Sequence, residues 1–289
     1  MTKQTLEQFL LQNYSKQTVS SYLFAINHFL KLNPKAKRYK YGNIVKYMDE
    51  ISIRQSNSKY RVVILSAIKK YYDYLVMNGY RNDHPCKRLN IKVNSNQAIQ
   101  VQDLFSSSEL QLLLERENRY KHLDVRNNVL LSLLIYQGLT SDEIIKLNVK
   151  DIDLDNGTIY IKASINLNKR KMNLVPRQMI LFFNYIENTR LEMLRCKTEK
   201  LIITKLGKPI TVGGIHGMID PLRALFPDRK LNPQTIRMSV ICNWLNEKNI
   251  SLEKVQELAG HKWPGTTEKY IKVNSSHQRE MINRYFPSI

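Results

Sequence analysis

The amino-acid sequence predicts a mainly α-helical chain with one small antiparallel β-sheet, divided into two modules. Three observations carry that prediction. Apolar residues recur at helical spacing through most of the 289 residues, as at Tyr22, Ile26, Phe29 and Leu30. Strand-like alternation is concentrated in one hairpin, which follows the turn signal Asp155-Asn156-Gly157. Over 82–101 no period is sustained and polar and basic residues surround one proline, so this stretch reads as an extended linker. The boundaries drawn from these signals are a helical module over 1–94, a linker over 95–102 and an α+β module over 103–289.

In the first module, helices are expected over 18–32, 43–51 and about 59–77, with Gly79 as a stop. Lys35, Lys37, Arg38 and Lys40 fall in a proline-containing loop. The third helix sets Lys59, Arg61, Lys69 and Lys70 beside Tyr60, Tyr71 and Tyr72, a mixture suited to a DNA groove. About half of those aromatics are needed by the core of so small a module.

In the second module, Ser106 to Ser108 precede a capped helix with Glu109 in its first turn. A strongly apolar helix over 124–137 runs into Gly138. Its most apolar part, VLLSLLIYQGL, is interrupted by Ser, Tyr, Gln and Gly, and falls short of the roughly 20 residues a membrane span needs. It reads as a core helix, and no membrane partner is expected. Thr140-Ser141-Asp142-Glu143 is an N-cap sequence for a short helix ending near Leu147. Strands are expected over 158–163 and 172–175, joined by a polar loop that carries Lys169, Arg170 and Lys171. A helix over 178–194, a strand over 200–204 and a helix between 211 and 222 follow. Three helices are expected over 233–248, 252–258 and 266–272. The end, SSHQREMINRYFPSI, reads as a capped helix with Met281, Ile282, Tyr285 and Phe286 on one side.

Charge is the strongest bulk signal. Lys and Arg number 45 against 25 Asp and Glu, a net +20. A surplus this large attracts polyanions, of which nucleic acid is the commonest. Residues 1–94 hold 17 basic and 5 acidic side chains, a surplus of +12, against +8 in the remaining 195. The first module is therefore expected to grip phosphates. Cys86, Cys196 and Cys242 are isolated and lack metal spacing, so they read as free thiols in a reducing compartment. With no cationic start and apolar block at the N-terminus, the expected location is cytoplasmic.

The chemistry-bearing stretch is NPQTIRMSVICNWLNEKNISLEKVQELAGHKWPGTTEKYI, over 232–271. It holds Arg237 early in a helical run, His261 after a Leu-Ala-Gly step, and Tyr270 after a Thr-Thr step. An arginine grips phosphate oxygens with a planar fork. A histidine hydrogen-bonds or transfers a proton near neutral pH. A tyrosine hydroxyl serves as a covalent nucleophile. Each also has an ordinary reading, Arg237 as a surface charge, His261 as a helix cap and Tyr270 as one of 16 tyrosines. Their order, behind a hairpin with a basic tip, is what makes the set specific.

In that order the chain resembles the tyrosine recombinases, or phage-type integrases, over essentially its whole length. GLTSDEIIKLNVKDID is similar to the first box, normally Gly-Leu-Arg-x-Ser-Glu-Leu, and TIYIKASINLNKRKMNLVP to the hairpin carrying the catalytic lysine. NPQTIRMSVICNWL is similar to the His-x-x-Arg box. LAGHKWPGTTEKYI is similar to the Leu-Gly-His box with the nucleophile behind it. The resemblance implies a helical core-binding domain plus an α+β catalytic domain that recombines DNA at specific sites. Tyr270 would form a 3′-phosphotyrosine, Arg237 would hold the phosphate oxygens, and His261 would hydrogen-bond the same phosphate. A hairpin lysine would protonate the leaving 5′-oxygen. Lys169 is the first choice by its distance before Val175-Pro176, with Lys162 and Lys171 left open. No cofactor or metal is implied. The partner would be double-stranded DNA, held in a C-shaped clamp, with four protomers on two sites and the helix over 276–285 exchanged between neighbours.

Two positions depart from the pattern. Thr140 stands where the first box has arginine, and Gln234 where the second has histidine. Three consequences are open: a catalytically silent DNA-binding protein on this scaffold, another cation (Arg126, Lys146 or Arg170) at the phosphate, or backbone N–H groups at the helix start after Thr140.

Overall fold

The structure, a computed structural model, describes residues 4–54, 57–92, 103–115 and 121–271. The chain divides into two units, Met1–Gln97 and Ala98–Ile289. The linker expected over 95–102 and the terminal helix expected over 276–285 lie outside the described residues. No helix among the described residues is long and apolar enough to cross a membrane.

The first unit is built on helices α1 (Leu6–Leu11), α2 (Lys16–Leu32), α3 (Tyr41–Arg54) and α4 (Ser58–Met77). Helix α1 has no counterpart in the periodicity. It forms because Thr5 and Gln8 close a capping box. Ile26 and Phe29 of α2 are fully buried with Ile44, Ile68 and Tyr72. Tyr71 and Tyr72 are core residues, whereas Tyr60 is exposed. Two of the four basic residues of α4 are held locally, Lys70 by Asp73 at 2.7 Å and Lys69 by Asn90 at 3.1 Å. Residues 82–92, read above as the start of the linker, instead fold back on this unit. Cys86 is fully buried there, and His84 Nε2 meets the Lys69 carbonyl at 3.0 Å.

The second unit packs around two buried helices. In α6 (Lys121–Tyr136) Val129, Leu130, Leu133 and Leu134 are fully buried. The polar residues that interrupt its apolar run find partners. The Tyr136 hydroxyl donates to Gln111 Oε1 at 3.2 Å. Gln137 and the buried Gln178 exchange two amide hydrogen bonds of 2.8 Å, and Gln178 also donates to Ser132 Oγ. Helix α11 (Pro233–Asn246) is buried on nearly every side and packs on α6, α5 (Ser107–Glu115) and α12 (Leu252–Ala259).

The second unit also holds a three-stranded antiparallel sheet in the order β1-β2-β3. Its strands are β1 (Ile152–Asp153), β2 (Thr158–Ile161) and β3 (Arg170–Asn173). The register pairs Ile159 with Met172 and Ile161 with Arg170. Strand β3 therefore begins two residues earlier than expected, and Arg170 belongs to the strand rather than to the loop. Residues alternate across a strand, so Arg170 and Met172 turn inward while Lys171 and Asn173 face out. Val175 then caps α8 (Pro176–Asn184), whose first residue is proline. A π-helical turn over Tyr185–Thr189 and α9 (Arg190–Met193) complete the helix expected over 178–194.

The strand expected over 200–204 is only a pair of isolated bridges, Asn148 with Lys200 and Ile203 with Pro209. Pro209 has no N–H to extend a ladder. The segment is held instead by the buried Tyr185, whose hydroxyl donates to the Leu201 carbonyl at 3.0 Å and accepts from the Ile203 N–H at 3.3 Å. Helix α10 (Val212–Ile219) follows, and α13 (Pro264–Glu268) is shorter than the helix expected over 266–272. Tyr270 consequently sits in the turn beyond α13. Tyr185→Phe orphans two buried backbone groups, and each such group costs about 1–3 kcal/mol. Urea unfolding is expected to show a loss of about 2 kcal/mol or more, while a purely packing role for the ring would leave stability nearly unchanged.

Candidate active site

Arg237 lies in the second turn of α11, which Asn232 caps and Pro233 starts. Burial makes it find partners. Its Nη1 donates to the Gly138 carbonyl at 2.5 Å and its Nη2 to the Ala259 carbonyl at 2.6 Å. These acceptors lie just past α6 and at the last residue of α12, where helices leave carbonyls without intrahelical donors. A cation is favoured at both.

Helix α12 ends at Gly260, whose φ of +71° is left-handed. A Cβ here would lie 2.5 Å from Arg170 Nη1. His261 follows, bridged to Leu167 of the hairpin, while the Asn168 N–H donates to the Gly260 carbonyl at 2.8 Å. His261 Nδ1 pairs with Thr267 Oγ1 at 2.8 Å. Its ring lies nearly parallel to that of Tyr270, 17° apart in plane with centroids 6.4 Å apart. The Tyr270 backbone is fixed by Asn246 Nδ2 on its carbonyl at 3.0 Å and by its N–H on the Thr267 carbonyl.

Beneath these residues sits Glu143, from α7 (Ser141–Lys146). Thr140 caps that helix and binds the Glu143 carboxylate through its own N–H and hydroxyl. Glu143 Oε1 accepts from Arg170 Nη1 at 2.6 Å, and Oε2 lies 3.8 Å from Arg237 Nη1. Arg170, Arg237, His261 and Tyr270 are all buried, at 4–7% exposure.

Burial dominates the protonation states. It penalises the charged form of His261, and the Arg237 and Arg170 charges add to this, so its pKa is pushed down to about 4. Burial raises the Tyr270 phenol above its ordinary 10, against a smaller pull from Arg237. Burial also opposes ionisation of Glu143. The Arg170 hydrogen bond and charge, the Thr140 N–H and the Arg237 charge outweigh it, and hold the carboxyl below the usual range. At neutral pH the cluster thus holds two guanidiniums, one carboxylate, a neutral imidazole and a protonated phenol.

Residues 104–277, well over half the chain, match the Phage integrase family. The chain belongs to that family. Among the similar sequences, the tyrosine recombinase XerD of Staphylococcus saprophyticus is 26% identical, over 96% of this chain and 95% of its own. The tyrosine recombinase XerC of Lactobacillus leichmannii is 26% identical, over 77% and 75%. In fold the chain is similar to XerH recombinase in a post-cleavage complex with its difH substrate. The TM-score is 0.74 at 18% identity, covering 97% of this chain and 85% of that one. It is also similar to a lambda integrase dimer bound to a core site, with a TM-score of 0.67 at 14% identity, covering 91% and 74%.

Within this phage integrase domain the structure brings Arg237, His261 and Tyr270 together. It does not bring in Gln234, which is exposed. Lys169 is exposed immediately before β3 and beside the hairpin residues docked on Gly260 and His261. Lys162 is 3.3 Å from Asp151, and Lys171 is near enough to Asp153 to lower its pKa. Of the cations considered for the place of Thr140, Arg126 is buried elsewhere, on Asn127 and the Ile203 carbonyl. Lys146 is exposed. The Thr140 and Glu143 N–H groups are taken by the capping box. Only Arg170 lies in the cluster. Glu143 is the residue that the sequence reading missed: its cap position is visible, but nothing local shows the side chain turning into the core.

Glu143→Gln leaves two buried guanidiniums without a countercharge. The expected loss of stability is about 3–5 kcal/mol, and an unfolding midpoint within error of the parent would contradict the ion-pair account. His261 supplies a pH test. Its folded pKa lies below its unfolded value, so the unfolded chain binds more protons between roughly 6.5 and 4. The stability it contributes is fully present above about pH 6.5 and is lost as pH falls toward 4. His261→Gln is expected to flatten that slope, and an imidazole titrating near 6.5 by NMR would overturn the assignment.

Proposed function

We propose that this chain recombines double-stranded DNA at specific sites, by cleaving and rejoining strands through a 3′-phosphotyrosine on Tyr270. The observation that carries the reading is the convergence of a phenol, an imidazole and a guanidinium held by α11 and by the turns after α12 and α13. The rings of His261 and Tyr270 stack, and the Arg237 charge acts on both. The tyrosine recombinases among its relatives agree with it.

In this reading the Tyr270 oxygen attacks the phosphorus and loses its proton to water as the O–P bond forms. The bond from phosphorus to the 5′-oxygen breaks, and that oxygen takes a proton from Lys169. Arg237 stabilises the charge gathering on the non-bridging oxygens. With Thr267 donating to His261 Nδ1, the imidazole Nε2–H is available to donate to the same phosphate. Lys169 is favoured over Lys162 and Lys171 because each of those lies near a carboxylate. Residues 1–94 are assigned as the core-binding domain, 95–102 as linker and 103–289 as the catalytic domain. The +20 charge supports duplex DNA as the partner. Four protomers on two duplexes, acting in the cytoplasm, complete the reading, and the absence of disulfides among the described residues accords with that compartment.

Covalent trapping tests it. A duplex selected by binding from a randomised library, then nicked near its centre, is incubated with the protein and run on a denaturing gel. A protein–DNA adduct is expected from the parent and none from Tyr270→Phe. Specific binding without any adduct would instead support a silent DNA-binding protein.

A further inference from the structure

Arg170 is 5% exposed, and its Nη1 is satisfied by Glu143 at 2.6 Å. Its Nε and Nη2 are buried and have no hydrogen-bond partner among the described residues. Buried donors left unpaired are uncommon in native proteins and point to a group that binds there. The second observation is charge. Arg170 and Arg237 contribute two positive charges, Glu143 returns one negative, and His261 and Tyr270 are neutral at pH 7. The cluster holds one buried positive charge in excess, which a single monoanion would balance. The third is position. The Arg170 guanidinium lies against Gly260, next to His261, and its charge bears on both His261 and Arg237.

We infer that Arg170 is a catalytic residue, the second guanidinium on the scissile phosphodiester, doing from β3 what Thr140 cannot do from the first box. The inference rests on the recombinase reading above and concerns which residue completes its site. Thr140 has a different task, since it holds Glu143 through its N–H and hydroxyl and so aims Oε1 at Arg170. Nε and Nη2 lie on one edge of the guanidinium, a fork that matches two phosphate oxygens. Arg170 is covered to the same degree as Arg237, His261 and Tyr270. Any opening that admits a phosphate to the nucleophile therefore has to uncover this neighbourhood. The bonds made and broken are those already given, and Arg170 adds no proton transfer.

The test compares two DNAs of one sequence, one with the ordinary scissile phosphate and one with a methylphosphonate there. The methyl group removes the negative charge that a guanidinium balances. Arg170→Gln keeps an amide N–H for Glu143 but no charge. Its adduct formation on phosphate DNA is expected to fall by about 10²–10³-fold, and on methylphosphonate DNA to stay within about tenfold of the parent. The ratio of the two rates in one sample does not depend on the fraction of folded protein, so a destabilised variant still reports. Arg170→Met serves if the Gln variant does not fold. A ratio equal to the parent's would overturn the role of Arg170 while leaving Tyr270 as nucleophile. No parental adduct on either DNA would overturn the recombinase reading and this inference with it.

Discussion

The Glu143 carboxylate, with its side chain only 3% exposed, lies between the guanidiniums of Arg170 and Arg237 and is bound on its third side by Thr140. Removing such charges from water costs several kcal/mol per ion, and the mutual attraction offsets this only when geometry and hydrogen bonds are both good. The surrounding fold supplies both. The cap at Thr140 sets the start of α7, and with it the direction of the carboxylate. The β2–β3 register turns Arg170 inward opposite Ile161. Helix α11 runs through the core, and the carbonyls of Gly138 and Ala259 take two of the Arg237 N–H groups. Gly260 lets its backbone approach where any side chain would strike Arg170.

The same cluster fixes what its neighbours can do chemically. Two adjacent positive charges, added to burial, keep His261 neutral far below its ordinary range. It is therefore a neutral imidazole rather than a third cation, and in the proposed reaction a phosphate would meet guanidiniums for charge and imidazole for geometry. Tyr270 is held as a phenol, and as the proposed nucleophile it would act only as its proton leaves. The lysines of the hairpin stay at the surface, where the β-strand alternation that buries Arg170 puts its neighbour Lys171 outside. The proposed acid, Lys169, stands just before the strand and is likewise exposed.

Much of this architecture is legible from residue order. The apolar spacing of α2 and α4, the apolar run of α6, the proline start of α11 and the Thr140 cap all follow from local chemistry. So do the spacing and order of Arg237, His261 and Tyr270. What is not legible depends on contacts between distant segments. Arg170 reads as one of three basic residues at a hairpin tip until the register shows it paired with Ile161. Glu143 reads as a capping residue until the two arginines are seen beside it. Residues 200–204, a short apolar β-branched run, read as a strand, yet Pro209 and the Tyr185 hydroxyl replace the ladder. Residues 82–92 look extended because Cys86 is a small isolated apolar residue, whose complete burial no periodicity announces.

Burial of the proposed nucleophile sets a condition on how the site would be used. In the free chain Tyr270 is 7% exposed, with its backbone tied to Asn246 and Thr267. A phosphate reaches it only in a conformer whose cover is drawn back, and a ligand favours such a conformer only by binding it better than the closed one. The excess positive charge of the cluster provides that difference in the proposed reaction. It is uncompensated while the site is closed, and a phosphodiester relieves it once the site is open. The +20 surplus over the whole chain acts differently, since exposed charges are screened by salt and attract any nucleic-acid backbone alike. A buried charge is screened much less. In the proposed reaction the first attraction would bring the protein to DNA, and the second would couple opening of the site to the arrival of one phosphate.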